Sequence, residues 1–133
     1  MALKVDQCTD ADMGRVFEII STSFEYDHPY INAVFPKHDT PKGRKHGAER
    51  MLAFKKEDPT TTFVKVTDTT TGTIIAIAKW HVFDGVIPEE EHGIVGNYWE
   101  SQDARELAEW NSITFHQLRW KAIRDSGGHL VCK

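Results

Sequence analysis

The chain has 133 residues and a mass of 15.2 kDa, and 40% of its residues are hydrophobic, which is the scale of one domain able to bury its own core. Sixteen Lys and Arg against 20 Asp and Glu leave a net charge of -4 without a basic stripe, so a nucleic-acid backbone is not an expected partner. No apolar, uncharged run is long enough to span a bilayer and no leader-like segment opens the sequence, so the expectation is no membrane and a soluble, cytoplasmic protein.

Leu3, Val5 and Cys8 predict a short first strand. Thr9-Asp10-Ala11-Asp12 follows as a capping-box variant with an acidic residue at the third helical position. Met13, Val16, Phe17, Ile20 and Phe24 then form one apolar stripe, predicting a helix of about four turns. From Glu25 to Thr40 the period lapses, and Pro29, Pro36 and the aromatic residues Tyr26, Tyr30 and Phe35 read as an ordered loop. Thr40-Pro41 opens a basic helix through Arg44, Lys45, Arg50, Lys55 and Lys56, with Ala48, Met51 and Leu52 facing inward and Asp58-Pro59 as the stop.

Residues 61–67 and 73–83 are rich in β-branched and aromatic side chains and flank Asp68-Thr69-Thr70-Thr71-Gly72, predicting a hairpin. Its second strand is almost continuously apolar at its start, the pattern of a strand covered on both faces. Residues 84–99, with Pro88 and Glu89-Glu90-Glu91, read as a solvated loop. Ser101 caps a long helix through Ala104, Leu107, Ala108, Trp110, Ile113, Leu118, Ala122 and Ile123; Gly127-Gly128 ends it before a last strand over residues 128–132. Cys8 and Cys132 have neither C-x-x-C nor His spacing, so free thiols are expected and no zinc site or disulfide framework. The four residues Glu89 to His92 are contiguous and do not converge readily on one ion, so no metal is expected.

Together these elements predict an α/β (α+β) fold, a mixed, mainly antiparallel sheet flanked by helices. Thr9-Asp10-Ala11-Asp12-Met13, Ser23-Phe24, Gly72-Thr73-Ile74-Ile75-Ala76-Ile77-Ala78-Lys79-Trp80 and Ala122 to Leu130 resemble signatures of the GNAT superfamily of acetyl-CoA-dependent N-acetyltransferases. The resemblance implies the amino-terminal portion of that fold, a single partial domain over residues 1–133 that stops at the fourth strand. The family's pyrophosphate cradle, [Gln/Arg]-x-x-Gly-x-[Gly/Ala] at a helix start, would follow that point. A near match, Arg44-Lys45-His46-Gly47-Ala48-Glu49, carries Glu at the last motif position and lies inside a helix, so this chain is expected to lack the acetyl-CoA site.

By the same resemblance, Tyr26, His28 and Tyr30 lie beside the acceptor pocket and Trp80 is a further wall candidate. The alternative for the loop aromatics is packing that pins a long loop. His81, on the opposite strand face from Trp80, is a candidate general base, against an ordinary structural histidine. Two functions of different class follow: acetyl transfer from acetyl-CoA to a small-molecule or peptide amine, completed by a further segment or partner chain, or a non-catalytic binding and assembly module. The final strand would be an edge open to strand addition, so a homo-oligomer is expected.

Overall fold

A computed structural model describes residues 2–83, 94–126 and 131–132. Four strands, β1 (Leu3–Gln7), β2 (Thr61–Asp68), β3 (Thr73–His81) and β4 (Val131–Cys132), form one sheet in the order β1-β2-β3-β4, antiparallel throughout. Four helices accompany them: α1 (Met13–Ser23), α2 (Pro29–Val34), α3 (Pro41–Glu57) and α4 (Gln102–Ser126). The architecture is mixed α+β, and no helix among the described residues is long and apolar enough to cross a membrane.

The signals at the start of the chain act locally. After β1, the Thr9 N–H donates to the Asp12 carboxylate at 2.7 Å, closing a single 3-10 turn that feeds α1. Thr40 caps α3 by accepting from the Gly43 N–H at 3.1 Å, with Pro41 at the first helical position where a missing N–H costs nothing. Ser101 does the same for α4, accepting from the Ala104 N–H at 3.1 Å. In the hairpin, Gly72 takes φ +73° and its N–H returns to the Asp68 carbonyl at 2.8 Å, a left-handed position that glycine fills without strain.

The core lies between one face of the sheet and the mutually packed α1 and α3: Cys8, Met13, Val16, Phe17, Met51 and Phe63 are buried, with Ile20, Phe35, Ala48, Leu52 and Ile77 against them. Gly47 on α3 makes the close approach possible, because a Cβ there would lie 2.0 Å from the fully buried ring of Phe17. A second cluster, Ile94, Trp99 and Ala108 with Tyr98 and Ala104, seats the start of α4, and α4 packs along α2.

Several expectations are corrected. The stretch from Glu25 to Thr40 contains α2: His28 is extended, Pro29 starts the helix, and Ile31 and Val34 are its buried residues. Six residues give too little sequence for a period to emerge. Helix α1 ends at Ser23, so Phe24 leaves the stripe and is 40% exposed, while Ser21 joins the buried face. Strand β3 is covered on one face rather than two, with Ala76 and Ile75 exposed. A register shift between Val66 and Thr67 leaves Ile75 as the unpaired extra residue between Ile74 and Ala76, and that bulge makes the run look continuously apolar. On α4 the buried residues are Ala108, His116, Trp120 and Ile123, leaving Leu107, Trp110 and Leu118 exposed. Residues 84–93 and 127–130, which carry the expected acidic loop, the Glu89 to His92 run and the Gly127-Gly128 stop, lie outside the described residues.

Replacing Gly47 by Ala forces the added methyl onto the Phe17 ring, which has no free space to enter. The expected outcome is a loss of about 1–3 kcal/mol in urea unfolding, the usual cost of overpacking a close helix contact.

Candidate functional site

The chain leaves α1 through two consecutive residues with left-handed backbone, Glu25 (φ 52°) and Tyr26 (φ 61°). Bulky residues adopt that region at a cost of order 1–3 kcal/mol, so the surroundings must hold it. They do: the Asn32 amide donates to the Tyr26 carbonyl at 3.0 Å, the Asp27 N–H donates to the Phe24 carbonyl at 3.2 Å, and Arg44 donates to the Tyr26 hydroxyl. The bend leaves a shallow, open pocket of about 330 Å³ lined by Ser23, Phe24, Glu25, Asp27, His28 and Pro29, all exposed except the half-buried His28. His28 and Phe24 meet edge to face at 4.9 Å, and the His28 Nδ1 is buried with no hydrogen-bond partner among the described residues. Two carboxylates, an aromatic ring and an imidazole in one small concavity suit a cationic group such as a protonated amine.

Beneath this pocket lies a constellation with no motif in the sequence. The Asn32 amide nitrogen is committed to Tyr26, which turns Oδ1 toward His38 Nε2 at 2.7 Å; the Ser21 hydroxyl stands 2.8 Å from His38 Nδ1 and 2.8 Å from the His38 carbonyl. In the Nε2–H tautomer the ring donates to Asn32, and the single Ser21 hydroxyl hydrogen is shared between His38 Nδ1 and the His38 carbonyl. Burial pushes the imidazole pKa below its ordinary value; Asp39 opposes that shift and Arg44 adds to it. The order hydroxyl, imidazole, amide imitates a nucleophile triad, yet Ser21 is 0% and His38 2% exposed. A substrate cannot reach that serine, so the arrangement is a buried tether closing the 25–40 segment onto α1.

Of the residues singled out from sequence, only His28 lines the pocket; Tyr26 meets His38 and Arg44 instead. His28 and Tyr30 meet edge to face, and Tyr30 stacks on Phe115 of α4 at 4.2 Å. Trp80 and His81 belong elsewhere, at the end of β3. His81 Nδ1 lies 3.5 Å from an Asp58 carboxylate oxygen and 3.3 Å from the hydroxyls of Thr60 and Thr61, and its ring stacks with Phe83. Burial raises the Asp58 pKa, but hydrogen bonds from Thr60 and Thr61 outweigh it and leave the carboxyl below its usual range, favouring the ionised partner of a histidine. Asp58 stands in the sequence only as a helix stop, so its second role becomes visible once the hairpin returns His81 beside it.

Sequence reasoning also passed over Arg50, read only as one cation of a basic helix. It is 8% exposed, with Cζ at 4.3, 5.0 and 5.3 Å from the ring centres of Phe35, Tyr98 and Trp99, and Nη1 donates to the Val34 carbonyl at 2.5 Å. Desolvation pushes its pKa down to about 10, against the opposing influence of Tyr98 and Tyr30. The Arg44 to Glu49 run offers no phosphate cradle: it is mid-helix, and Gly47 is used for packing against Phe17. Its residues therefore do not fit acetyl-CoA. Among the described residues no group of three or more His, Cys, Asp or Glu is placed to hold a metal ion. Comparison with protein-family models, with curated proteins and with solved structures yields no match.

The His38 tether gives a pH signature of defined sign. A folded-state pKa below the unfolded value of about 6.5 means that the unfolded chain binds more protons as pH falls, so stability present above that value is lost below it. Urea midpoints measured from neutral to mildly acidic pH should fall for the wild type. The His38→Gln variant should start about 1–3 kcal/mol less stable and show a flatter profile.

Proposed function

We propose that this chain provides the acceptor side of a GNAT-type N-acetyltransferase, in which an amine takes the acetyl group of acetyl-CoA. The pocket at the end of α1 carries the reading, because the carboxyl-bearing Glu25 and Asp27 line one open depression together with Phe24 and His28. Those carboxylates would draw in an ammonium, and His28 is the group there able to accept the proton that an amine must lose before attack. His81, with Asp58 to orient it, is the second candidate base. The order of strands and helices resembles the first part of that fold. The acyl donor would be held outside the described residues, so no step through it is assigned to them.

A binding or assembly module is the second reading, favoured by apolar surface. Leu107, Trp110 and Leu118 on α4 are 55%, 63% and 80% exposed, and Leu3 and Val5 on the helix-free sheet face are 57% and 65% exposed.

Nuclear magnetic resonance titration with primary alkylamines and diamines tests the first reading. Saturable shifts at Glu25, Asp27 and His28 are expected, with affinity falling about tenfold or more in the Glu25→Gln, Asp27→Asn double variant, as loss of two charge-assisted contacts requires. Amine-independent spectra, or equal binding by the double variant, would remove the reading. Concentration-dependent association in sedimentation, abolished by Trp110→Asp, would then favour the module.

A further inference from the structure

Arg119 on α4 is the strongest unexplained group. Its Nε and Nη1 are buried and have no hydrogen-bond partner among the described residues, and the guanidinium lies 5.6 Å from the Trp120 ring centre. Burial lowers its pKa, with Tyr30 opposing. Arg50, on α3, is sealed among aromatic rings, and neither arginine forms an ion pair among the described residues. Several other cations are matched, Lys55 with Asp10, Lys65 with Asp12, Arg105 with Glu109 and Lys121 with Asp125, while Arg44, whose Nε is also buried without a partner among the described residues, donates to the Tyr26 hydroxyl.

Tyr30 of α2 is within electrostatic reach of both guanidiniums. Burial raises its pKa, the arginines pull the other way, and the net is upward, so the hydroxyl stays a proton donor. Its ring is fixed by the stack on Phe115 and by an edge contact with His116 at 5.9 Å. Tyr30 is brought to the Arg119 side of α4 by its stack on Phe115, one turn earlier on that helix, and Arg50 of α3 bonds the same short helix α2 at Val34; among the described residues no acid pairs with either arginine. Unsatisfied buried donors of this kind imply an absent partner, and a cation with a planar donor fork beside a phenol selects an oxyanion.

We propose that the α2–α3–α4 junction binds a small oxyanion, the phosphate or carboxylate group of a ligand, with Arg119 and Tyr30 as direct donors and Arg50 supplying positive potential behind them. The site is distinct in charge from the acidic pocket of Glu25 and Asp27. It stands independently of the acetyl-transfer reading.

The test is calorimetric titration and thermal unfolding of the full chain with inorganic phosphate and, separately, with acetate, against chloride at equal ionic strength. Expected are saturable binding and a rise in melting temperature with at least one oxyanion and none with chloride. Tighter phosphate binding would assign a phosphorylated ligand and tighter acetate binding a carboxylate. Arg119→Gln should weaken binding about tenfold or more, while Arg105→Gln on the same helix should leave it unchanged. Tyr30→Phe keeps the ring on Phe115 and removes the hydroxyl, so it decides the matter even if Arg119→Gln folds poorly. No oxyanion binding beyond chloride, or unaltered affinity in the folded Tyr30→Phe chain, would overturn the proposal.

Discussion

The buried guanidinium of Arg50 is the interaction on which the rest of the arrangement depends. One side of it touches Phe35, which belongs to the sheet-side core through its 5.1 Å contact with Phe17; the other touches Tyr98 and Trp99 of the second cluster. Its hydrogen bond to the Val34 carbonyl satisfies an acceptor at the end of α2 that has no helical partner. A cation removed from water gains from each aromatic face it meets, up to ~2 kcal/mol in desolvated cases, and loses its hydration in exchange. The same side chain therefore joins two apolar clusters that otherwise have separate members. Among the described residues, α4 packs on α2, whose last carbonyl this junction holds.

Polar contacts do similar work around the pocket. Between α1 and α3 only Ile31 and Val34 are fully buried apolar anchors, too few to fix a bend containing two left-handed residues. The Ser21–His38–Asn32 tether and the Trp99 indole, which donates to the Ala33 carbonyl at 2.9 Å, supply directional contacts in their place. Directionality matters more than strength here. Apolar packing could hold the segment near α1, whereas hydrogen bonds at defined atoms also fix the direction in which Glu25, Asp27 and His28 project.

The sequence makes legible what is decided within a few residues. The Thr40-Pro41 and Ser101 caps, the stripe Met13–Val16–Phe17, the Gly72 turn and the hairpin are each local and each stand where expected. Helix α2 escaped because it is shorter than two full periods, and the bare face of β3 escaped because alanine and a bulge residue read as buried strand. The site divides in the same way. Tyr26, His28 and Tyr30 stood out as aromatic residues in a segment lacking period; His28 and Tyr30 meet, while Tyr26 turns to His38 and Arg44. Asp58, Arg50, Arg119 and the Ser21 tether gain their meaning from partners 16 or more residues away, as the Arg50 bond to Val34 and the Ser21 bond to His38 illustrate, and no spacing rule encodes those.

The bulge at Ile75 is also where the sheet is fastened to its covering layer: the Arg15 guanidinium of α1 donates to the adjacent Ile74 carbonyl through Nε at 3.1 Å and Nη2 at 2.9 Å. A two-pronged grip on one carbonyl fixes the phase of β3 at that point. Insertions and deletions in the hairpin therefore divide into two kinds. Changes of length within 69–72 are absorbed by the turn and loss of Ile75 would only erase the bulge, whereas removing one residue between Ala76 and Lys79 slides the side chains beyond it to the opposite face and carries Lys79 and His81 off the helix-covered side together.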